Sequence, residues 1–240
     1  METKTKPIPM EDLFPILQSI DTLKMRVYAS LLYWLAARAG ELLPYQHYKT
    51  VYKRDEKGNL IRDHKGFCEI ESRTELYSSL GVPVSTIRVE EDIIFFDSIP
   101  VFKSKKKGLT KAGIVPRKKN PLFEDITSFV SQRKQLQEKA NTEAENSGKP
   151  PATIYLFEKE LESESNEQFF WRFKKRLDRL LAKKGYSSHS FRKTRLTRAG
   201  NVSGDVFYVK ALSGHSGINM ASEYVAKKNL FDNMKRYEGL

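Results

Sequence analysis

The sequence contains few of the residues that build disulfide scaffolds or multi-cysteine metal sites. One cysteine, Cys68, occurs among 240 residues, which excludes an internal disulfide and a zinc site made of several cysteines. No apolar run approaches membrane-spanning length, and the N-terminus lacks the hydrophobic core of a signal peptide. Of only four histidines, His47 and His64 show no metal-ligand spacing. We therefore expect a protein of a reducing, aqueous compartment that needs no metal or other cofactor.

Charge is the most informative feature of the composition. The chain has 42 lysines and arginines against 30 acidic residues, a formal net charge of +12. An excess of this size indicates a polyanionic partner, most simply nucleic acid, although a basic protein with solvated lysines has the same composition. Because 39% of the residues are hydrophobic, the chain can bury a substantial core in one or two domains.

Hydrophobic periodicity predicts an α+β fold that is mostly helical and has a small three-stranded antiparallel sheet. Apolar residues at helical spacing predict helices whose ranges are 10–19, 21–39, 121–137 and 165–184. Apolar, β-favouring runs predict strands whose ranges are 87–96, 99–105 and 113–116. Residues 1–9 are polar and contain prolines, which predicts a flexible N-terminus. A polar linker is predicted at 141–151.

The region from His189 to Tyr224 contains the residues best suited to chemistry. His189 and Arg192 stand three apart in H-S-F-R and share a face if the segment is helical. In L-S-G-H-S, Gly214 ends a predicted helix and places His215 at the turn. Tyr224 follows nine residues later. Guanidinium groups, imidazoles and a phenol together suit a phosphodiester, since arginine stabilises phosphoryl charge and a phenol can act as a nucleophile.

These motifs, in this order and spacing, resemble the C-terminal catalytic motifs of the tyrosine recombinases, the phage-integrase family. Arg38, followed three residues later by Glu41, resembles the first arginine motif of that family. The family also uses a lysine on a β-hairpin. Lys105 fits that position best by its distance from the preceding strand, while Lys103, Lys106 and Lys107 are open alternatives. The resemblance thus implies one catalytic set: Arg38, Lys105, His189, Arg192, His215 and Tyr224.

The resemblance extends from about residue 10 to the end of the chain and departs from the family pattern in two places. Residues 45–86 have no counterpart in compact members and are interpreted as an insertion within a catalytic domain that covers 10–240. By the same resemblance, we expect no N-terminal arm domain of the usual kind. Residues 229–240 form a C-terminal tail in which Leu230, Phe231 and Met234 stand at helical spacing.

The resemblance implies a site-specific recombinase or integrase that cleaves and rejoins DNA through a 3′-phosphotyrosine, as in DNA integration by mobile elements. A type IB topoisomerase-like enzyme and a non-catalytic DNA-binding protein on the same scaffold are the alternatives. The implied partners are double-stranded DNA and three further copies of the chain on DNA, with a monomer in solution and no membrane. The expected location is the cytoplasm with its nucleoid, or an organelle that contains DNA. Expected DNA contacts, from basic residues near the motifs, are Lys103, Lys106, Lys107, Lys175, Arg176 and Lys193.

Overall fold

The structure, a computed structural model, describes residues 5–101 and 108–214, apart from the side chains at positions 47, 76 and 77. Within these ranges the α+β, mostly helical class is confirmed. The helices are α1 (Met10–Gln18), α2 (Leu23–Trp34), α3 (Ala39–Leu42), α4 (Phe123–Ser147), α5 (Asn166–Ala182), α6 (Ser188–Ser203) and α7 (Val206–Ser213). The strands are β1 (Tyr45–Tyr52), β2 (Ile70–Ser79), β3 (Ile87–Val89), β4 (Ile93–Pro100) and β5 (Thr110–Pro116).

Helix α2 is the central element of the core. Its residues are buried on nearly every side, as its nearly continuous apolar sequence predicts. The helix ends at Trp34, several residues before the predicted end near Ala39. The cause is Ala36, which takes the left-handed conformation with a φ of 45° and cannot continue a right-handed helix. The chain then turns into the separate short helix α3, with Arg38 at its N-cap.

The predicted three-stranded antiparallel sheet is present, in the order β3-β4-β5. Its boundaries differ from the prediction, because the run 87–96 is divided between two strands. The acidic residues Glu90 to Asp92 form the turn between them, and the Glu90 amide donates to the Ile93 carbonyl at 2.9 Å. Strand β5 begins at Thr110 rather than Gly113, so Lys111 lies within the strand and not in the preceding turn.

Strands β1 and β2 pair as a long antiparallel hairpin within the predicted insertion. Between these strands the chain makes two turns of the same design. In each, an arginine and an aspartate precede a short loop that contains a left-handed glycine, Gly58 or Gly66. Arg54 and Arg62 donate to the carbonyls of these glycines at 2.6 and 2.7 Å. The sequences R-D-E-K-G and R-D-H-K-G are therefore a tandem structural repeat.

The remaining helices enclose α2. Phe169, Phe173 and Leu177 form the buried stripe of α5, as its amphipathic pattern predicts, and Ser165 caps its first turn. Helix α4 continues to Ser147 through most of the predicted linker and ends at a left-handed glycine. No helix of the described part of the chain is long and apolar enough to span a membrane.

Candidate active site

The carbonyl ends of two helices converge on two buried cations. Lys111 Nζ donates to the carbonyl of Leu35 at the end of α2 and to that of Leu212 in α7, both at 3.1 Å. Arg192 on α6 donates to the Ala36 carbonyl, and its Nη2 donates to that of Ser213 at 2.8 Å. Exposed helix carbonyls carry partial negative charge, which favours cations at these ends. The left-handed turn at the end of α2 thus helps to create the pocket that holds both side chains.

Glu41, in α3, is the anion at the centre of this cluster. Its carboxylate is fully buried and lies 3.3 Å from Lys111 Nζ and 3.8 Å from Arg192 Nη1. It also accepts two hydrogen bonds from Arg38, one from the backbone amide at 3.0 Å and one from Nη1 of the side chain at 3.2 Å. These contacts fix the beginning of α3 and orient the Arg38 side chain.

Among the described residues, this cluster contains three cations and one anion, which sum to a charge of plus two. Burial alone would raise the pKa of Glu41, but the charges of Lys111, Arg192 and Arg38 together lower it below its ordinary value. Burial also lowers the pKa of Lys111 to about 8, against the attraction of Glu41. A group of cations in a desolvated position is suited to bind an anion such as phosphate.

Arg38 is the member of the cluster that reaches solvent. Its side chain is 23% exposed, whereas that of Arg192 is 1% exposed. Arg38 and His189 line the same surface cavity. The structure therefore places the first arginine motif beside the histidine of H-S-F-R, although 151 positions separate Arg38 from His189 in the sequence.

His189 is in the first turn of α6, which begins after the N-cap residue Ser187. Desolvation lowers the pKa of His189 to about 4, assisted by the charges of Arg192, Arg38, Lys193 and Lys174. The imidazole is therefore neutral at pH 7. A neutral imidazole has one nitrogen able to accept a proton, as a general base requires.

Gly214 connects this arrangement to the second histidine motif. It takes the left-handed conformation with a φ of 67° and ends α7, as predicted. A Cβ at this position would lie 3.2 Å from the Val101 side chain, which makes the approach tight. His215 and Tyr224 lie outside the described residues, as do the hairpin lysines Lys103, Lys105, Lys106 and Lys107.

Lys111 is the site residue that the sequence interpretation missed. The predicted strands 99–105 and 113–116 leave Lys111 in the connection between them, whereas the structure buries it in β5 on the same face as Val115. The period-two pattern of β5 was the signal that could have predicted this burial, because side chains two positions apart point to the same face of a strand. Gly113 lies between them, and a Cβ there would come within 2.7 Å of Leu35 Cδ2, so β5 packs closely against the end of α2.

The basic residues predicted to contact DNA are differently placed. Lys175 and Arg176 are exposed on the outer surface of α5. Lys193 is partly buried, and its Nζ donates to the Thr5 carbonyl at 2.8 Å, which ties the N-terminal segment to α6. In the same segment the Ile8 amide donates to Thr194 Oγ1 at 2.6 Å. Among the described residues, no group of three or more His, Cys, Asp or Glu side chains could hold a metal ion.

The sequence matches no protein-family model and no curated protein, whereas the fold has clear structural neighbours. The chain is similar to the XerH site-specific recombinase bound to difH substrate in a pre-cleavage complex, with a TM-score of 0.54 and 16% identity. It has the same TM-score and identity with XerH on palindromic difH in a post-cleavage complex. The XerA recombinase gives a TM-score of 0.51 at 15% identity.

Coverage in these comparisons is unequal. They include 97–98% of this chain, but 54% of the XerH chains and 64% of the XerA chain. The likeness therefore establishes the fold of nearly the whole present chain, and this chain spans about half the length of XerH.

Proposed function

We propose that this chain, which has the fold of the tyrosine recombinase catalytic domain, cleaves and rejoins DNA strands as a site-specific recombinase. The observation that carries the proposal is the grouping of Arg38, His189 and Arg192 around a net positive centre. These residues come from two of the recombinase motifs that resemblance identified in the sequence, the first arginine motif and H-S-F-R. The fold brings them together beside the chain that leads into His215.

The proposed reaction begins with attack of the Tyr224 phenol on a DNA phosphodiester. A 3′-phosphotyrosine bond forms, and the bond from phosphorus to the 5′-oxygen breaks. Arg38 and Arg192 stabilise the charge on the non-bridging oxygens, and His215 donates a further hydrogen bond. Neutral His189 assists removal of the tyrosine proton, while Lys105 or a neighbouring hairpin lysine protonates the leaving oxygen. The phosphotyrosine ester preserves the bond energy for rejoining.

Lys111 has a different proposed role in this mechanism. Its ammonium donates to the carbonyls of Leu35, Ala36 and Leu212 and is also paired with Glu41. An ammonium has three protons, and these contacts use them within the protein. Lys111 therefore positions the arginine cluster, and the proton for the leaving group comes from elsewhere on the hairpin.

The experiment that tests the function is a trapping assay. A DNA site is first selected from a random duplex pool by binding to Tyr224→Phe protein, and is then supplied with a nick that prevents rejoining. Wild-type protein is expected to form a covalent DNA adduct on a denaturing gel, and Tyr224→Phe to bind the same DNA without an adduct. An adduct of normal yield from Tyr224→Phe would refute the assignment.

We further propose that four copies act together, because exchange between two duplexes needs four cleavages and each copy supplies one tyrosine. The C-terminal tail, with Leu230, Phe231 and Met234, would bind the neighbouring copy. A chain truncated after Lys228 is expected to bind single DNA sites and to lose paired-site complexes and recombination. Normal paired-site complexes from the truncated chain would place the assembly surface elsewhere.

A further inference from the structure

A cavity of about 310 Å³ opens beside Arg38 and His189, and the proposed mechanism does not use it. Its lining combines two chemically different sets of side chains. One set is aromatic and consists of Tyr45, Phe170 and Trp171. The other is polar or cationic and consists of Arg38, Lys174, Ser188 and His189.

The aromatic wall is a packed group of rings at the start of the long hairpin. Tyr45 and Phe170 lie 4.2 Å apart between ring centroids at 38°, and Trp171 contacts Phe170 edge-on at 5.1 Å. Gly40 permits this arrangement, since a Cβ there would lie 3.0 Å from Tyr45 Cδ1. The wall is therefore held in place before any ligand binds.

Trp171 presents an unusual amount of aromatic surface to solvent. It is 40% exposed, whereas Trp34, the other tryptophan of the chain, is 6% exposed. Its position on α5 is fixed by the capped start of that helix and by the buried stripe below it. A rigid, exposed indole next to cations is the usual composition of a surface on which nucleobases stack.

The polar side chains of the lining determine which ligand fits. Lys174 Nζ is 2.6 Å from Asp178 Oδ2, which partly balances its charge. Arg38 also lines the cavity and contributes a further positive charge. A ligand that offers a flat aromatic ring to the aromatic side chains and a phosphate to Arg38 matches both parts of the lining. A nucleotide of a DNA strand has this chemistry.

We propose that the cavity receives an unstacked nucleobase adjacent to the phosphodiester held at Arg38 and His189. This inference rests on the proposed function and specifies a subsite of the same active site. Strand exchange requires nucleotides beside the cleavage point to leave one duplex before they pair in another. Unstacking a base costs free energy, which stacking on Trp171 would offset.

The test uses tryptophan fluorescence and needs no knowledge of the DNA target. The protein carries Trp34→Phe, so that Trp171 is the only tryptophan, and Tyr224→Phe, so that no cleavage occurs. The probes are a 12-nucleotide oligothymidylate and an abasic sugar-phosphate strand of the same length, at low salt. We expect oligothymidylate to quench Trp171 and to bind about five- to a hundredfold more tightly than the abasic strand.

Variants locate the effect. Trp171→Ala is expected to bind oligothymidylate as weakly as the abasic strand, and Trp171→Phe to retain most of the difference. Phe207→Ala removes another exposed aromatic ring, 67% exposed on α7 and outside the cavity, and is expected to change nothing. Thermal unfolding shows whether each variant is folded. If Trp171→Ala is unfolded, the proposal is decided instead by comparing how strongly oligothymidylate and the abasic strand quench the fluorescence of Trp171.

Two results would overturn the inference: equal affinity for the two strands without quenching, or unchanged base preference in folded Trp171→Ala. These outcomes are distinguishable from failure of the proposed function. Base-dependent quenching with no covalent adduct in the trapping assay would support the cavity and reject the recombinase. An adduct without base-dependent binding would support the recombinase and reject the cavity.

Discussion

The Nζ atom of Lys111 lies 3.3 Å from Oε2 of Glu41, and the two side chains are 5% and 0% exposed. The pair joins the three-stranded sheet to the short helix that begins with the first arginine motif. Because Arg192 and Arg38 contact the same carboxylate, this one anion holds three cationic side chains, from β5, from α6 and from the N-cap of its own helix α3.

Glu41→Gln is expected to be strongly destabilising. It leaves three neighbouring cations without their buried counter-ion, and breaking a buried pair from one side typically costs about 3–5 kcal/mol. Urea unfolding of the DNA-free protein measures the loss. Glu69→Gln is the matched control, since the Lys53–Glu69 pair is exposed and its loss should cost less than about 1 kcal/mol.

Lys111→Met should destabilise the protein less than Glu41→Gln does, because Glu41 keeps Arg38 and Arg192 as partners. The double variant should lose less unfolding free energy than the sum of the losses in the two single variants, because the two residues are directly coupled. Additive losses would contradict the assignment of Lys111 as the positioning residue of this cluster.

Arg192→Lys should strongly slow cleavage while DNA binding persists. The variant keeps the positive charge but loses the planar fork that reaches the carbonyls of Ala36 and Ser213. Loss of one preorganised donor to a reacting group usually lowers the rate about a hundred- to a thousandfold. Single-turnover cleavage of the selected DNA site measures the effect. A rate within a few-fold of wild type would remove Arg192 from the mechanism.

His189 should titrate near pH 4 in the folded, DNA-free protein, well below its ordinary value of 6.5. The unfolded chain then binds a proton more readily than the folded chain between these pH values. Stability is therefore expected to fall as pH is lowered from 6.5 to 4, and His189→Gln should show a shallower fall. Proton NMR of the imidazole gives the pKa directly. A titration near 6.5 would mean that the ring is neither desolvated nor affected by the neighbouring cations.

The leaving-group acid should be a hairpin lysine rather than Lys111. A DNA substrate with a bridging 5′-sulfur needs no protonation on departure, so it should restore cleavage by Lys105→Ala. It should not restore cleavage by Lys111→Ala, whose defect is in the arrangement of the arginines. Rescue of Lys103→Ala, Lys106→Ala or Lys107→Ala instead would move the role to that lysine, and rescue of Lys111→Ala would contradict its positioning role.

The sequence predicted the class of the fold because the long helices and the sheet have clear periodicity. It failed where a single backbone conformation decided the outcome. Alanine is a strong helix former, so the segment A-A-R-A-G does not predict that Ala36 takes the left-handed conformation and ends α2. Two contacts stabilise that turn: Gly113 packs against Leu35, and Lys111 donates a hydrogen bond to the Ala36 carbonyl. Both contacts come from segments that are distant in the sequence.

For the candidate site, sequence order identified Arg38, His189 and Arg192, which the fold brings together. It missed Lys111, since a lysine at the edge of a run of lysines is ordinarily solvated. Only the three-dimensional arrangement of two helix ends and Glu41 makes its burial tolerable. The cavity beside Arg38 was equally invisible, because its aromatic wall joins the base of the hairpin to α5.

The contacts that hold the two buried cations span most of the chain. Lys111 reaches Leu35 across 76 sequence positions, and Arg192 reaches Ala36 across 156. Such distant contacts form late in folding, because the entropy of closing long loops opposes them. During synthesis, the first arginine motif leaves the ribosome long before its partner cations. The proposed active site can therefore assemble only after the chain has been synthesised past Ser213, so shorter nascent chains lack it.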